Sequence, residues 1–237
     1  MPELKAVFFD VDDTLWDRTA CDRHVMEIVL PRFIDRLPED DPEQIIRRYN
    51  AVFLDLPARQ HLRGARPFSH RRRFEALLDS YEVRSGRLAR ELTRTYDATR
   101  RLIMRQFLRS NALRVLRELA GMGLELGVLM NGAPAVQRHL LETLGLRPAV
   151  DHVILAQVEG YVKPDVRLFR RVTDLLEIEA EQLLYVGDSP AVDILGAARA
   201  GIPTVWFQTG NRMMPSGFPT PDFTITDLSE LPSVVRI

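Results

Sequence analysis

Apolar residues in this chain follow two periods. Short unbroken runs rich in Val, Ile, Leu and Phe stand at 6–9, 124–130, 152–155, 183–186 and 204–207, each too short for a helix and bounded by turn formers or charge. Such runs predict strands buried on both faces, and a sixth, shorter one at 223–226 continues the series. Between the later runs the spacing changes to three and four. Asn111 reads as a cap ahead of a helix carrying Leu113, Leu116 and Leu119 on one side, and further helices fall at 135–144, 165–176 and 192–200. Gly121, Gly145 and Gly201 stand near the helix ends. Strand and helix in alternation predict an α/β fold, a Rossmann-like parallel sheet core with helices on both faces.

One stretch breaks the alternation. Residues 17–107 show helical periodicity and no strand, with helices expected at 22–33, 43–54, 70–81 and 86–107, the second opened by Asp41 and Pro42. That is too much chain for a crossover between strands. We therefore expect an inserted helical bundle, 17–107, beside a sheet domain built from 1–16 and 108–237. The Pro- and Gly-rich segment 208–222 predicts a surface loop.

Composition narrows the function classes. Lys and Arg number 32 against 33 Asp and Glu, so the overall basic charge that marks a partner of nucleic-acid polymers or anionic membranes is absent. Cys21 is the only cysteine, which excludes an internal disulfide and fits a reducing compartment, the cytoplasm. Nowhere do about 18 apolar residues run together, so no membrane span is expected.

The first strand ends in three carboxylates. In VFFDVDDT, Asp10 and Asp12 point the same way along an extended chain while Asp13 turns aside. Two like charges so placed share a cation, or one of them is driven towards its protonated form. Both outcomes serve a mechanism that pairs a carboxylate nucleophile with a neighbouring acid. The run at 183–186 drops through Gly187 onto Asp188, with Asp193 five residues on, and in an open parallel sheet the strand ends converge on one crevice. Hard oxygen ligands of this kind suit magnesium. Lys163, in EGYVKPD, and Lys5 are the only lysines in a chain with thirty arginines. A compact ammonium at 163 would balance charge among carboxylates and a bound anion.

In order, Asp10-Val11-Asp12-Asp13-Thr14, Asn131-Gly132, Lys163-Pro164 and Gly187-Asp188 with Asp193 resemble the four motifs of the haloacid dehalogenase-like hydrolases in their phosphatase form. The resemblance runs the length of the chain, and the insertion falls where that family carries its helical cap. It implies a magnesium-dependent phosphatase of a small phosphorylated metabolite. Asp10 would form an aspartyl-phosphate, and Asp12 would serve as acid and then base. Magnesium would be held by the Asp10 carboxylate, the Asp12 carbonyl and Asp188, with Asp193 in support. Thr14 would brace the Asp10 site, and Thr14, Asn131, Gly132 and Lys163 would face the phosphate.

Met130 departs from the pattern. The family usually has Ser or Thr before the Asn, with a hydroxyl that donates to a phosphoryl oxygen; here the sequence is VLMNG. Met cannot donate, which implies a weakened site in which the Asn131 N–H and side-chain amide reach the phosphate. Two other readings stay open. One is the dehalogenase branch, where Asp10 would attack carbon; its members lack the second Asp and need no magnesium. The other is a non-catalytic or regulatory binding protein of the same fold. Charge in the insertion is uneven, with nine acids against six Arg over 17–57 and fourteen Arg against five acids over 58–109. This is either a set of solvated helix faces or a sign that some of Arg59, Arg63, Arg66, Arg71, Arg72 and Arg73 attract an anionic substrate.

Overall fold

The run Ala6–Phe9 forms strand β1, and all four of its side chains are buried, as they must be in a strand covered on both faces. The remaining runs form β2 (Glu125–Met130), β3 (His152–Leu155), β4 (Leu183–Gly187), β5 (Thr204–Phe207) and β6 (Phe223–Ile225). All pair in parallel, in the order β3-β2-β1-β4-β5-β6. This is the doubly wound order, with β1 at the centre. Packing beside β1 depends on one glycine: a Cβ at Gly127 of β2 would lie 2.2 Å from the Phe8 ring.

The computed structural model describes residues 3–60, 69–210 and 213–236. It divides the chain into two compact units, Met1–Asp17 with Leu108–Ile237, and Arg18–Phe107. The second unit is helical: α1 (Arg18–Val29), α2 (Pro42–Gln60), α3 (His70–Asp79) and α4 (Gly86–Ile103). Helix α1 packs on α4, α4 on α3, and α3 on α2. Their starts follow local chemistry, since Asp41 accepts from the Glu43 N–H at 2.9 Å and Ser85 from the Leu88 N–H at 3.2 Å. Helix α1 begins four residues earlier than its apolar period indicates, and an Arg18–Asp22 pair at 3.3 Å joins its first turns. Asp22 is the centre of this unit's polar interior. Arg18 and Arg73 approach its Oδ2 at 3.3 and 3.7 Å, and Arg100 approaches Oδ1 at 3.2 Å.

In the sheet unit the helices are α5 (Ala112–Gly121), α6 (Pro134–Leu144), α7 (Ala156–Glu159), α8 (Val166–Leu176), α9 (Leu195–Arg199) and α10 (Leu231–Val235). Asn111 does not cap α5 with its side chain. Its backbone is already in the helical region, at φ −91° and ψ −9°, and its amide donates instead to Asp227 at 3.0 Å. The helix expected from 192 opens instead as a wide turn over Pro190–Ile194 that leads into α9. Of the segment 208–222, residues 208–210 and 213–222 form neither strand nor helix, Met213 is 83% exposed, and residues 211 and 212 lie outside the described residues.

Candidate active site

Asp10 follows β1 directly, and its N–H donates to the Val186 carbonyl of β4 at 2.9 Å. Because β1 lies between β2 and β4, the residues after these strands, Asp10, Asn131 and Asp188, emerge at one edge of the sheet. The chain then turns sharply. The N–H groups of Thr14, Leu15 and Trp16 all donate to the Val11 carbonyl, at 3.3, 3.1 and 3.0 Å, and Asp13 takes a left-handed φ of 61°. Arg109 fastens this turn from outside: Nε donates to the Thr14 carbonyl and Nη2 to the Asp13 carbonyl, both at 2.9 Å. Its guanidinium also pairs with Asp17 at 3.4 Å and lies 4.6 Å from the centre of the Phe207 ring.

The separate motifs meet at Lys163. Its ammonium donates to Asp10 Oδ1 at 2.6 Å, Asp193 Oδ1 at 2.8 Å and the Tyr185 hydroxyl oxygen at 3.0 Å. Asn131 grips the backbone of the same residue, accepting from the Lys163 N–H at 2.9 Å and donating to its carbonyl at 3.2 Å. The Asn131 amide, expected at the phosphate, thus secures the lysine loop. Gln137 in turn donates to the Asn131 carbonyl at 2.7 Å, and Gly132, at φ 115°, lies so close that a Cβ would come within 2.5 Å of the Gln137 amide nitrogen.

Asp193 is held in the wide turn after β4, with Oδ2 accepting from the Ser189 N–H at 3.1 Å. Wide turns of this kind cluster at functional sites. Gly187 makes room for it, since a Cβ there would stand 2.5 Å from the Asp193 Cβ and Cγ. The Asp188 carbonyl accepts from Trp206 Nε1 at 2.9 Å. Carboxylate oxygens of Asp10, Asp188 and Asp193 all lie within 4.8 Å of one another. Three hard oxygen donors so spaced fit a divalent cation such as magnesium.

The electrostatics agree with that fit. Burial raises the Asp10 pKa, Lys163 pulls it down, and repulsion from Asp193, Asp12 and Asp188 adds to the burial, leaving the carboxyl well above the ordinary carboxylate range. For Lys163, burial works against the charge, but the Asp10 and Asp193 carboxylates outweigh it and hold the ammonium well above the ordinary lysine range. A cation among these oxygens would favour the ionised form of Asp10 and lower that raised value.

The structure also places the other positions that drew attention in the sequence. Thr14 is fully buried, and its hydroxyl makes no hydrogen bond among the described residues, so the brace on this turn comes from Arg109. Met130 ends β2 and is 2% exposed. In the insertion, Arg71 is exposed and pairs with Glu75 at 2.8 Å, Arg72 is exposed, and Arg73 is buried near Asp22. The side chain of Arg59, and Arg63 and Arg66, lie outside the described residues. Tyr185, Arg109, Gln137 and Trp206 did not stand out in the sequence. Only Tyr185 carried a signal, as the single hydroxyl in the apolar run LLYVG, because a buried tyrosine needs a partner for its oxygen.

The sequence profile of the haloacid dehalogenase-like hydrolases matches residues 4–201, and the chain belongs to that family of enzymes. The glyceraldehyde 3-phosphate phosphatase of Methanocaldococcus jannaschii is 27% identical over 240 residues, spanning 98% of this chain and 97% of its own. The phosphoserine phosphatase of Thermus thermophilus is 36% identical over 143 residues, 60% of this chain and 56% of its own. Among solved structures, the hydrolase YfnB of Bacillus subtilis, which has bound magnesium, superposes with a TM-score of 0.80 at 24% identity, over 99% of this chain and 100% of its own. That likeness establishes the shared fold. No helix among the described residues is long and apolar enough to cross a membrane.

Proposed function

We propose that the protein is a magnesium-dependent phosphatase of a small phosphorylated metabolite, working through a phosphoryl group carried on Asp10. The observation that carries this reading is the Asp10 carboxylate held by Lys163 at 2.6 Å, with oxygens of Asp188 and Asp193 within 4.8 Å. The likeness to named phosphatases over nearly the whole chain supports it.

In this reading an Asp10 oxygen attacks phosphorus while Asp12 gives its proton to the departing alcohol oxygen. Water then attacks the phosphorus of the aspartyl-phosphate, Asp12 takes its proton back, and phosphate leaves with Asp10 restored. Lys163 balances the charge that the phosphoryl group adds beside Asp10. The backbone at Asn131 and Gly132 supplies donors to the phosphoryl oxygens. Asp10, Asp188 and the Asp12 carbonyl would hold magnesium, with Asp193 adding charge to the set. When bound, the ion neutralises the phosphoryl oxygens and keeps Asp10 ionised. The unit 18–107 is the element proposed to select the substrate.

Turnover of a panel of phosphomonoesters, glyceraldehyde 3-phosphate and phosphoserine among them, tests the reading. Release of phosphate should require magnesium and stop on chelation. Hydrolysis of a 2-haloacid that survives chelation would instead place the chain in the dehalogenase branch, against which Asp12 already counts.

A further inference from the structure

Tyr185 sits in the middle of β4, fully buried, with its backbone in register with Phe8 of β1. Its ring meets Phe169 edge-on at 5.1 Å. A phenylalanine would satisfy that packing equally well. The hydroxyl is what the packing leaves unexplained, and it lies 3.0 Å from the Lys163 ammonium and 3.2 Å from Asp193 Oδ1.

A lysine ammonium has three N–H donors and no acceptor. Asp10 Oδ1, Asp193 Oδ1 and the Tyr185 oxygen account for all three. Since the ammonium cannot accept, the Tyr185 oxygen accepts from Lys163 and its own proton points to Asp193 Oδ1. Burial keeps that phenol protonated, and the triangle of Lys163, Tyr185 and Asp193 is closed.

We propose that Tyr185 is a positioning residue: by taking the third N–H of Lys163 it fixes the ammonium on one oxygen of Asp10 and leaves the other Asp10 oxygen for the phosphoryl group. The proposal deepens the phosphatase reading and rests on it for its kinetic consequence. It also means that Lys163 keeps no donor for the substrate. Its influence on the phosphoryl group then passes through charge and through the orientation of Asp10, where the sequence pointed to direct contact.

The chain offers a direct test, because its only lysines are Lys5 and Lys163. Protein labelled with nitrogen-15 at the lysine side chains gives two ammonium signals, of which Lys163 should exchange its protons with solvent at least about tenfold more slowly. Tyr185→Phe keeps the ring and removes the oxygen. It should speed Lys163 exchange by at least about tenfold and lower kcat by about ten- to a hundredfold, with KM within about twofold. Phe169→Leu, which disturbs the same packing without touching the oxygen, should leave Lys163 exchange unchanged.

Unchanged exchange and kcat in Tyr185→Phe would overturn the proposal, as would equal effects of Tyr185→Phe and Phe169→Leu on Lys163 exchange. Should Tyr185→Phe not fold, a wild-type Lys163 signal that exchanges as fast as Lys5 overturns it. If no phosphomonoester is turned over by the wild type, the phosphatase reading fails, and the exchange comparison still decides the role of Tyr185.

Discussion

The two units each bury a charged cluster, and the clusters are built in opposite senses. In the sheet unit, carboxylates gather around one cation: Lys163 bonds Asp10 and Asp193, and Asp12 and Asp188 add their repulsion. In the helical unit, cations gather around one carboxylate: Arg18, Arg73 and Arg100 surround Asp22. The consequences for the acids differ. Asp10 is pushed above its ordinary range, whereas the arginines overcome the burial of Asp22 and hold it below. An acid ringed by arginines stays ionised to lower pH and serves to join helices. An acid crowded by other acids is sensitive to whatever cation or proton arrives, which is what a reacting group requires.

Substitution at the two centres should therefore fail in different ways. Asp10→Asn keeps an oxygen for Lys163 but removes the nucleophile, so phosphate release should fall by at least about a thousandfold with the melting temperature little changed. Turnover near the wild-type rate would take Asp10 out of its role. Asp22→Ala leaves three guanidinium groups without their shared carboxylate and should destabilise the chain by about 3 kcal/mol, read by chemical denaturation. A loss below about 1 kcal/mol would mean that the arginines are satisfied without it.

A smaller effect is expected at Met130. Supplying the missing donor with Met130→Thr should raise kcat about tenfold at similar KM, a discount on the hundred- to thousandfold that one preorganised donor is worth elsewhere. Its burial sets up the contrary result. If the thioether is chiefly packing, the substitution leaves kcat unchanged and lowers stability by about 1–2 kcal/mol.

The pH dependence of stability should separate the clusters by sign. Asp22 has a lowered folded-state pKa, so its contribution is complete above about pH 5 and is lost as the pH falls through that lowered value. Asp10, raised by its surroundings, contributes in the opposite direction in metal-free protein: its share is present at low pH and is lost as the pH rises through its raised value. Added magnesium should remove the second trend and leave the first. Persistence of both would argue against a cation at Asp10.

Much of this was legible along the chain. The six apolar runs became the six strands because a parallel sheet buried on both faces needs unbroken apolar segments, and the motif acids stand at strand ends because the sheet order brings β1, β2 and β4 together. What stayed hidden depends on contacts between distant residues. The Asn131 amide turns to Lys163, thirty-two residues away, and Arg109 reaches back ninety-five residues to Thr14. Neither pairing leaves a local pattern. Tyr185 was hidden for a different reason, since a tyrosine in an apolar run reads as core until the buried ammonium beside its oxygen is seen.

The central claim, that Asp10 carries the phosphoryl group, can be tested by trapping. Wild-type protein and Asp12→Asn, each mixed with magnesium and a turned-over phosphomonoester, would be quenched in acid, reduced with borohydride and digested for peptide mass spectrometry. An aspartyl-phosphate is reduced to homoserine, so the account predicts homoserine at position 10, in greater yield from Asp12→Asn if the base that releases phosphate is the function lost. Unmodified Asp10 in both samples, taken while wild-type turnover is under way, would contradict it.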